Sequence, residues 1–163
     1  MYNFIMKTIL AISDNHGNKE IVDKILSIEE YDLAIHMGDS EFDKKWAEAR
    51  FDYCVEGNND YNSLPLEINF EYEGLKFMIL HGHSRGIYVH NWNELPVEVA
   101  KAEGVDVLIH GHSHIPYIND KQGVFTSCPG STTIPRSMEG PTYAVYKIKN
   151  GKIYGEIKSI PVL

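Results

Sequence analysis

Cysteine is nearly missing: Cys54 and Cys128 are the only two in 163 residues, and they are not paired as thiolate metal ligands usually are. Two thiols cannot build a disulfide framework, so stability must come from a packed core, and a reduced, cytoplasmic setting is expected. Long apolar runs are missing too. No stretch approaches the roughly 18 residues needed to cross a bilayer, so no membrane association is expected. Met1 to Met6 is a brief apolar and aromatic lead-in cut off by Lys7, without the pattern of a signal peptide. Met6 is an alternative start, which would make residues 1–5 an extension. Basic residues are outnumbered: 15 Lys and Arg stand against 23 Asp and Glu, a net charge of −8. Such a surface repels nucleic acid and anionic membranes, so strong nucleic-acid affinity is not expected. It does not exclude an anionic substrate, because two bound divalent cations would add about four positive charges at one spot.

Nothing divides the chain. It has no low-complexity tract, charge block or Pro/Ser-rich hinge, and 163 residues suit one domain over 1–163. Lys7 to Ile12 is a short apolar run ending at Ser13-Asp14, the pattern of a strand buried on both faces. A helix is expected over 19–28, with Ile21, Val22, Ile25, Leu26 and Ile28 on or near one face. A second strand over 33–35, a helix over 42–50 and a strand over 53–55 complete a β-α-β-α-β run, which favours parallel strands. The style then changes. Segments 66–72 and 75–80 flank Glu73-Gly74 as a hairpin. A helix is expected over 93–102 and a strand over 105–109. Short strands follow over 115–119, 123–127, 142–148 and 152–160, joined by turns such as 120–123 and Asn150-Gly151. The pattern therefore reads as mixed α/β: parallel at the front, an antiparallel sheet behind, one shared core.

Ligand-type residues recur where apolar strands stop. Asp14 and His16 follow the first strand, Gly38-Asp39 the second, Asn58 and Asp60 the third. His81 and His83 follow Phe77 to Leu80, while His110, His112 and His114 close or follow Val107 to Ile109. The carboxyl ends of parallel strands are where ligands bind in open α/β sheets. Seven of the eight histidines, all but His90, lie in or just before these segments. A spacing of two would keep both side chains on one side of an extended segment. Glycines at 17, 38, 57, 82 and 111 punctuate the same places, as tight loops around a metal require. Each motif alone has an ordinary reading: Asp14 as a helix cap, Gly38-Asp39 and 57–60 as turns. Together, in this order and each after an apolar strand, they point to a metal centre. Mixed imidazole and carboxylate donors suit Mn, Fe, Co, Ni or Zn and are too rich in nitrogen for Ca or Mg. The donors are too many for one tetrahedral zinc but enough for two ions sharing a carboxylate. A metal pair activates water and stabilises in-line displacement, and phosphoryl transfer gains most from that arrangement.

With these motifs in hand, the sequence resembles the calcineurin-like metallophosphoesterase superfamily. Its pattern of Asp-x-His, Gly-Asp, Gly-Asn-His-Asp/Glu, a lone His and Gly-His-x-His is met by Asp14-Asn15-His16, Gly38-Asp39, Gly57-Asn58-Asn59-Asp60, His81 and Gly111-His112-Ser113-His114. The compact length is similar to that of the small microbial phosphodiesterases of the YfcE type. Pro129-Gly130-Ser131 and Pro135-Arg136 resemble a further segment of that branch, with Cys128 where Asn is usual. The resemblance implies a four-layer α/β/β/α sandwich with two mixed sheets. It implies one metal held by Asp14, His16, Asp39 and His114. The second would be held by Asp39, Asn58, His81 and His112, with Asp39 bridging and a hydroxide between the ions as nucleophile. The cofactor would be two divalent transition-metal ions, Mn foremost, with Ni, Fe, Co and Zn as alternatives. Many members carry a His that assists catalysis where this chain has Asn59, and Asn cannot act as an acid. Asp39, Asn58, Asn59 and His83 are thus the candidate catalytic residues. His83 would touch substrate or brace a ligand, and Asn59, Arg85 and Arg136 are candidate phosphate contacts. His36, His110 and Asp60 read as groups that support ligands. The activity implied is phosphodiester hydrolysis of a small substrate. A phosphomonoesterase is the alternative within enzymes, and a scaffold for protein partners, as the retromer subunit of this superfamily is thought to be, is the alternative outside them. A homo-oligomer is compatible with either.

Overall fold

Alternation within the apolar runs divides each central strand between two cores. In β1 (Met6–Ile12), Ile9 and Ala11 face one cluster while Leu10 and Ile12 face another. In β5 (Leu75–Leu80), Phe77 and Ile79 point the same way as Ile9, and Met78 and Leu80 point the opposite way. β6 (Val107–His110) repeats this with Val107 and Ile109 against Leu108. A strand that is apolar on both faces needs cover on both, which explains why these segments read as continuous apolar runs. A computed structural model of the chain describes residues 5–160; the extension expected over 1–5 lies, but for Ile5, outside the described residues.

Two five-stranded mixed sheets face each other. The first has the order β10 (Lys152–Ser159), β9 (Thr142–Lys149), β1, β2 (Leu33–His36), β3 (Tyr53–Cys54). The second runs β4 (Glu67–Tyr72), β5, β6, β8 (Phe125–Cys128), β7 (Tyr117–Asn119). The cluster between the sheets joins Ile9, Ile35 and Tyr146 to Phe77, Ile109 and Phe125. Outside the first sheet lie α1 (Lys19–Ile28) and α2 (Lys44–Glu48), which bury Val22, Ile25 and Ala47. Outside the second lies α3 (Leu95–Glu103), which buries Val99 and Ala100. The result is the expected four-layer sandwich.

Local chemistry sets the helix ends. Asn18 caps α1 by accepting from the Ile21 N–H, and Asp43 caps α2 by accepting from the Trp46 N–H. Because the cap is Asp43, α2 is shorter than the expected 42–50. Pro96 opens α3 in its first turn, and Gly104 closes it in the left-handed region. Two expectations are corrected. The rear sheet is not antiparallel: β5 pairs with β6, and β6 with β8, in parallel. The crossover α3 carries the chain from β5 back to a parallel β6. In addition, β9 and β10 belong to the front sheet, where β9 pairs antiparallel with β1. Two short 3-10 turns, His83–Arg85 and Val89–Asn91, fill a stretch in which no element was expected.

Candidate metal centre

Strands β1, β2 and β3 from one sheet, and β5 and β6 from the other, end on the same rim. Hydrogen bonds between backbones join their loops: Asp14 N–H donates to Gly38 O at 3.0 Å, His16 N–H to Asp39 O at 3.0 Å, and Gly111 N–H to His81 O at 3.0 Å. The loops are not extended. Asp14, His16, Asp39, His112 and His114 all have positive φ, between 41° and 71°. Such a conformation costs a non-glycine residue about 1–3 kcal/mol and persists only where surrounding structure imposes it. Asp14-x-His16 and His112-x-His114 are therefore not the extended segments expected. Tight left-handed turns, and not alternation along a strand, bring each pair together. Glycine is needed at Gly57 and Gly111 for close approach. A Cβ on Gly57 would sit 2.2 Å from Asp39 Oδ1, and one on Gly111 would sit 2.3 Å from Ser13 Oγ.

The partners of the histidines fix their tautomers. Carbonyls and carboxylates only accept, so His81 Nδ1–H donates to Met37 O at 2.7 Å, and His114 Nδ1–H to Ile134 O at 2.6 Å. His16 Nδ1–H donates to Glu41 Oε2 at 2.9 Å. Each then turns an Nε2 lone pair to the centre, as metal-ligating imidazoles do. His16 Nε2 and His114 Nε2 come within 3.2 Å of each other, with Asp14 Oδ1 at 3.8 Å and 3.2 Å from them. Asp14 Oδ2 accepts from Ser13 Oγ and the His112 N–H, whereas its Oδ1 is buried without a hydrogen-bond donor. On the other side, His81 Nε2 lies 2.9 Å from Asn58 Oδ1 and 3.2 Å from His112 Nδ1. Asp39 Oδ2 stands between the groups, 3.7 Å from His16 Nε2 and 3.3 Å from His81 Nε2. Acceptors facing acceptors at such distances repel unless a cation lies among them. All seven residues expected as ligands thus meet on one rim as two adjoining donor sets.

The electrostatics agree. Burial alone would raise the Asp39 carboxyl, but hydrogen bonds and charge from His81 and both Asn59 N–H donors hold it well below the usual range. Burial opposes ionisation of Asp14 too, and His81, His114 and Ser13 overrule it. Burial would lower His81, yet Asp14 and Asp39 push it up to about 9. Two buried carboxylates call for positive charge at this point, and without another source they take a proton onto His81.

Other expected residues are placed as follows. Asn59 donates from its backbone N–H and its Nδ2 to the two oxygens of Asp39, both at 2.9 Å. The ring of His83 lies 5.4 Å from that of His81, and its Nδ1 is buried without a partner. Arg136 directs Nη1 to the carbonyls of His112 and Ser113 at 3.4 Å. Arg85 does not join them: its guanidinium is engaged by Glu67 and by Glu103 at 3.0 Å. Asp60 accepts from the N–H groups of Asp39, Glu41 and Gly57, each at 2.8 Å, and so ties two rim loops together. His36 bridges Gly38 N–H and Asn15 Oδ1, while His110 bridges Gly111 O and Tyr117 OH. Burial lowers both to about 4, so they are neutral braces. Cys128 is buried, its thiol pushed up to about 12 by burial, and it contacts Ser113 Oγ and the Gly130 N–H. Glu41, Ser13 and the Ile134 carbonyl were not anticipated. Glu41 stands in the Gly-Asp loop itself and could have been suspected; a backbone carbonyl has no signature in sequence.

The model of the calcineurin-like phosphoesterase superfamily domain matches residues 6–151. The chain belongs to this superfamily. A probable metallophosphoesterase of Mycoplasma pneumoniae is 33% identical to this superfamily member over 150 residues, covering 91% of this chain and 94% of that protein. The crystal structure of a predicted phosphoesterase from Streptococcus pneumoniae superposes with a TM-score of 0.82 at 25% identity, over 96% of this chain and 91% of that one. An archaeal phosphodiesterase shares the fold with a TM-score of 0.69 at 23% identity, over 93% and 99%. The calcineurin-like fold expected from the motifs is thus the fold observed.

Proposed function

We propose that the chain is a metal-dependent phosphodiesterase with two divalent cations. The observation that carries this reading is Asp14 Oδ1, a buried carboxylate oxygen without a donor, beside imidazole nitrogens whose lone pairs all face it. Asp14, His16, Asp39 and His114 would hold one cation. Asp39, Asn58, His81 and His112 would hold the other, and Mn suits this donor set. When bound, the cations supply Lewis-acid activation of water and neutralise charge on the phosphoryl oxygens.

The chain's own residues define the rest. Glu41, Met37 O and Ile134 O orient the imidazoles, so each already turns its Nε2 to the centre before any cation arrives. Asn59 is spent on Asp39 and has no proton to give as an acid. A neutral amide there favours the single charge of a diester over the double charge of a monoester. His83, its ring 5.4 Å from that of His81, would brace that ligand, and Arg136 would lend positive charge at the His112 loop.

With Mn added, the purified protein should hydrolyse bis(p-nitrophenyl) phosphate faster than p-nitrophenyl phosphate. Asp39→Asn should lower diester turnover by about a hundredfold or more, because both donor sets lose their shared anion. Wild-type rates in Asp39→Asn would sink the metal mechanism. A clear preference for the monoester would overturn the choice of diester and leave a phosphomonoesterase.

A further inference from the structure

Most exposed apolar side chains of this protein are scattered, but Tyr61, Tyr88 and Val89 stand on segments that follow the ligand-bearing strands β3 and β5. Single exposed apolar residues are ordinary and need no explanation. Tyr88 differs by where it is. Its ring lies 5.1 Å from the ring of His112, tilted by 63°, and the residue is still 45% exposed. It is therefore an aromatic surface that is in contact with a candidate metal ligand and also open to solvent.

That surface is held in place. Tyr88 N–H donates to Asn91 Oδ1 at 2.7 Å, and Asn91 Nδ2 donates back to Gly86 O at 2.9 Å. The neighbouring Ile87 is fully buried and anchors the loop in the cluster under α3. The ring of His90 stacks on that of Tyr88, 10° between planes and 6.1 Å between centroids, which helps to hold it in place. A fixed aromatic ring binds another ring at low cost in conformational entropy, edge-to-face or offset.

Charge around it argues against a second anionic group on the substrate. Arg85, on the same stretch of chain, is already neutralised by Glu67 and Glu103. A flat, uncharged group is what the remaining surface fits.

We propose that Tyr88 is a specificity-determining residue: the platform on which an aromatic ester group of the substrate, a nucleobase or a simple aryl ring, stacks beside the metal centre. The inference rests on the phosphoesterase reading above and adds to it the class of ester that is preferred.

The test uses the full chain loaded with Mn and hydrolysis-resistant phosphonates, with binding read by titration calorimetry. Phenylphosphonate should bind roughly tenfold more tightly than methylphosphonate, a gain typical of one stacked ring. It should also bind more tightly than cyclohexylphosphonate, which matches its size but cannot stack. Tyr88→Phe should keep the phenyl-to-methyl ratio, and Tyr88→Ala should bring it close to one. A nucleoside 5′-methylenephosphonate distinguishes the sources: a larger Tyr88-dependent gain than that of phenylphosphonate identifies a nucleobase, a smaller one an aryl ring. Equal binding of the phenyl and cyclohexyl compounds overturns the proposal, as does a ratio that survives in Tyr88→Ala. If no phosphonate binds the Mn-loaded protein at all, the metal-centre reading itself fails and the platform falls with it.

Discussion

The two ends of the sandwich use the same backbone conformation for opposite purposes. At one end, Glu73-Gly74 and Asn150-Gly151 join β4 to β5 and β9 to β10 in two-residue turns with all four φ values between 51° and 81°. Added Cβ atoms at Gly74 and Gly151 would meet nothing within 4 Å. These are hairpin turns whose left-handed residues match the twist of the strands. At the other end, Asp14, His16, Asp39, His112 and His114 take up positive φ without a glycine at those positions. There the glycines abut side chains that carry chemistry. Left-handed backbone is thus a convenience at the hairpin end and a constraint at the rim, where it serves to aim donor atoms.

Three experiments probe the difference between the rim and the hairpin end. The largest effect is expected from pH, because the rim buries neutral histidines and the hairpin end does not. His36 and His110 are lowered from 6.5 to about 4 by burial. Unfolding lets them take up protons, so their contribution is fully present above pH 6.5 and is lost as pH falls from about 6.5 towards 4. The loss is on the order of 3 kcal/mol for each. Urea unfolding of the metal-free protein at pH 6.5, 5.5 and 4.5 measures it, and His36→Gln should flatten the profile. A stability that stays level across that window would show that these imidazoles are not held neutral.

The next effect is expected from Gly57→Ala. The new Cβ would press on both the carboxylate and the backbone of Asp39, at 2.2 Å from Oδ1 and 2.5 Å from N. Thermal unfolding should report a loss of about 1–3 kcal/mol, and Mn affinity should fall with it. Retention of both would mean that the Asp39 loop is freer than its packing implies. The smallest effect is expected from Gly151→Ala, which meets no neighbour and is strained only by its φ of 72°. It should cost about 1 kcal/mol and leave Mn binding as it is. A larger drop there than at Gly57 would erase the distinction between the two ends.

The same contrast explains what was legible in sequence. Glu73-Gly74 and Asn150-Gly151 were read correctly because hairpin turns have a local signature. Lys7 to Ile12 and Val105 to Ile109 were legible because strands buried on both faces are apolar throughout. Sheet membership was not: β9 could follow either sheet, and only long-range pairing with β1 decides it. The donor residues were legible as a set because histidines and acids recur after apolar runs. Their turns were not, since nothing in Asp14-Asn15-His16 announces two left-handed residues. The carboxylates that engage Arg85 were not legible for a similar reason, because Glu67 and Glu103 reach it from other elements.

In the proposed function, residues 14, 16, 39, 58, 81, 112 and 114 form one centre for two cations that share Asp39. Metal analysis of the Mn-reconstituted protein, with Asp39→Asn prepared in parallel, tests it most directly. Wild type should carry two Mn ions per chain and the variant should lose both; one ion or none in wild type, or two that survive in Asp39→Asn, would rule the shared centre out.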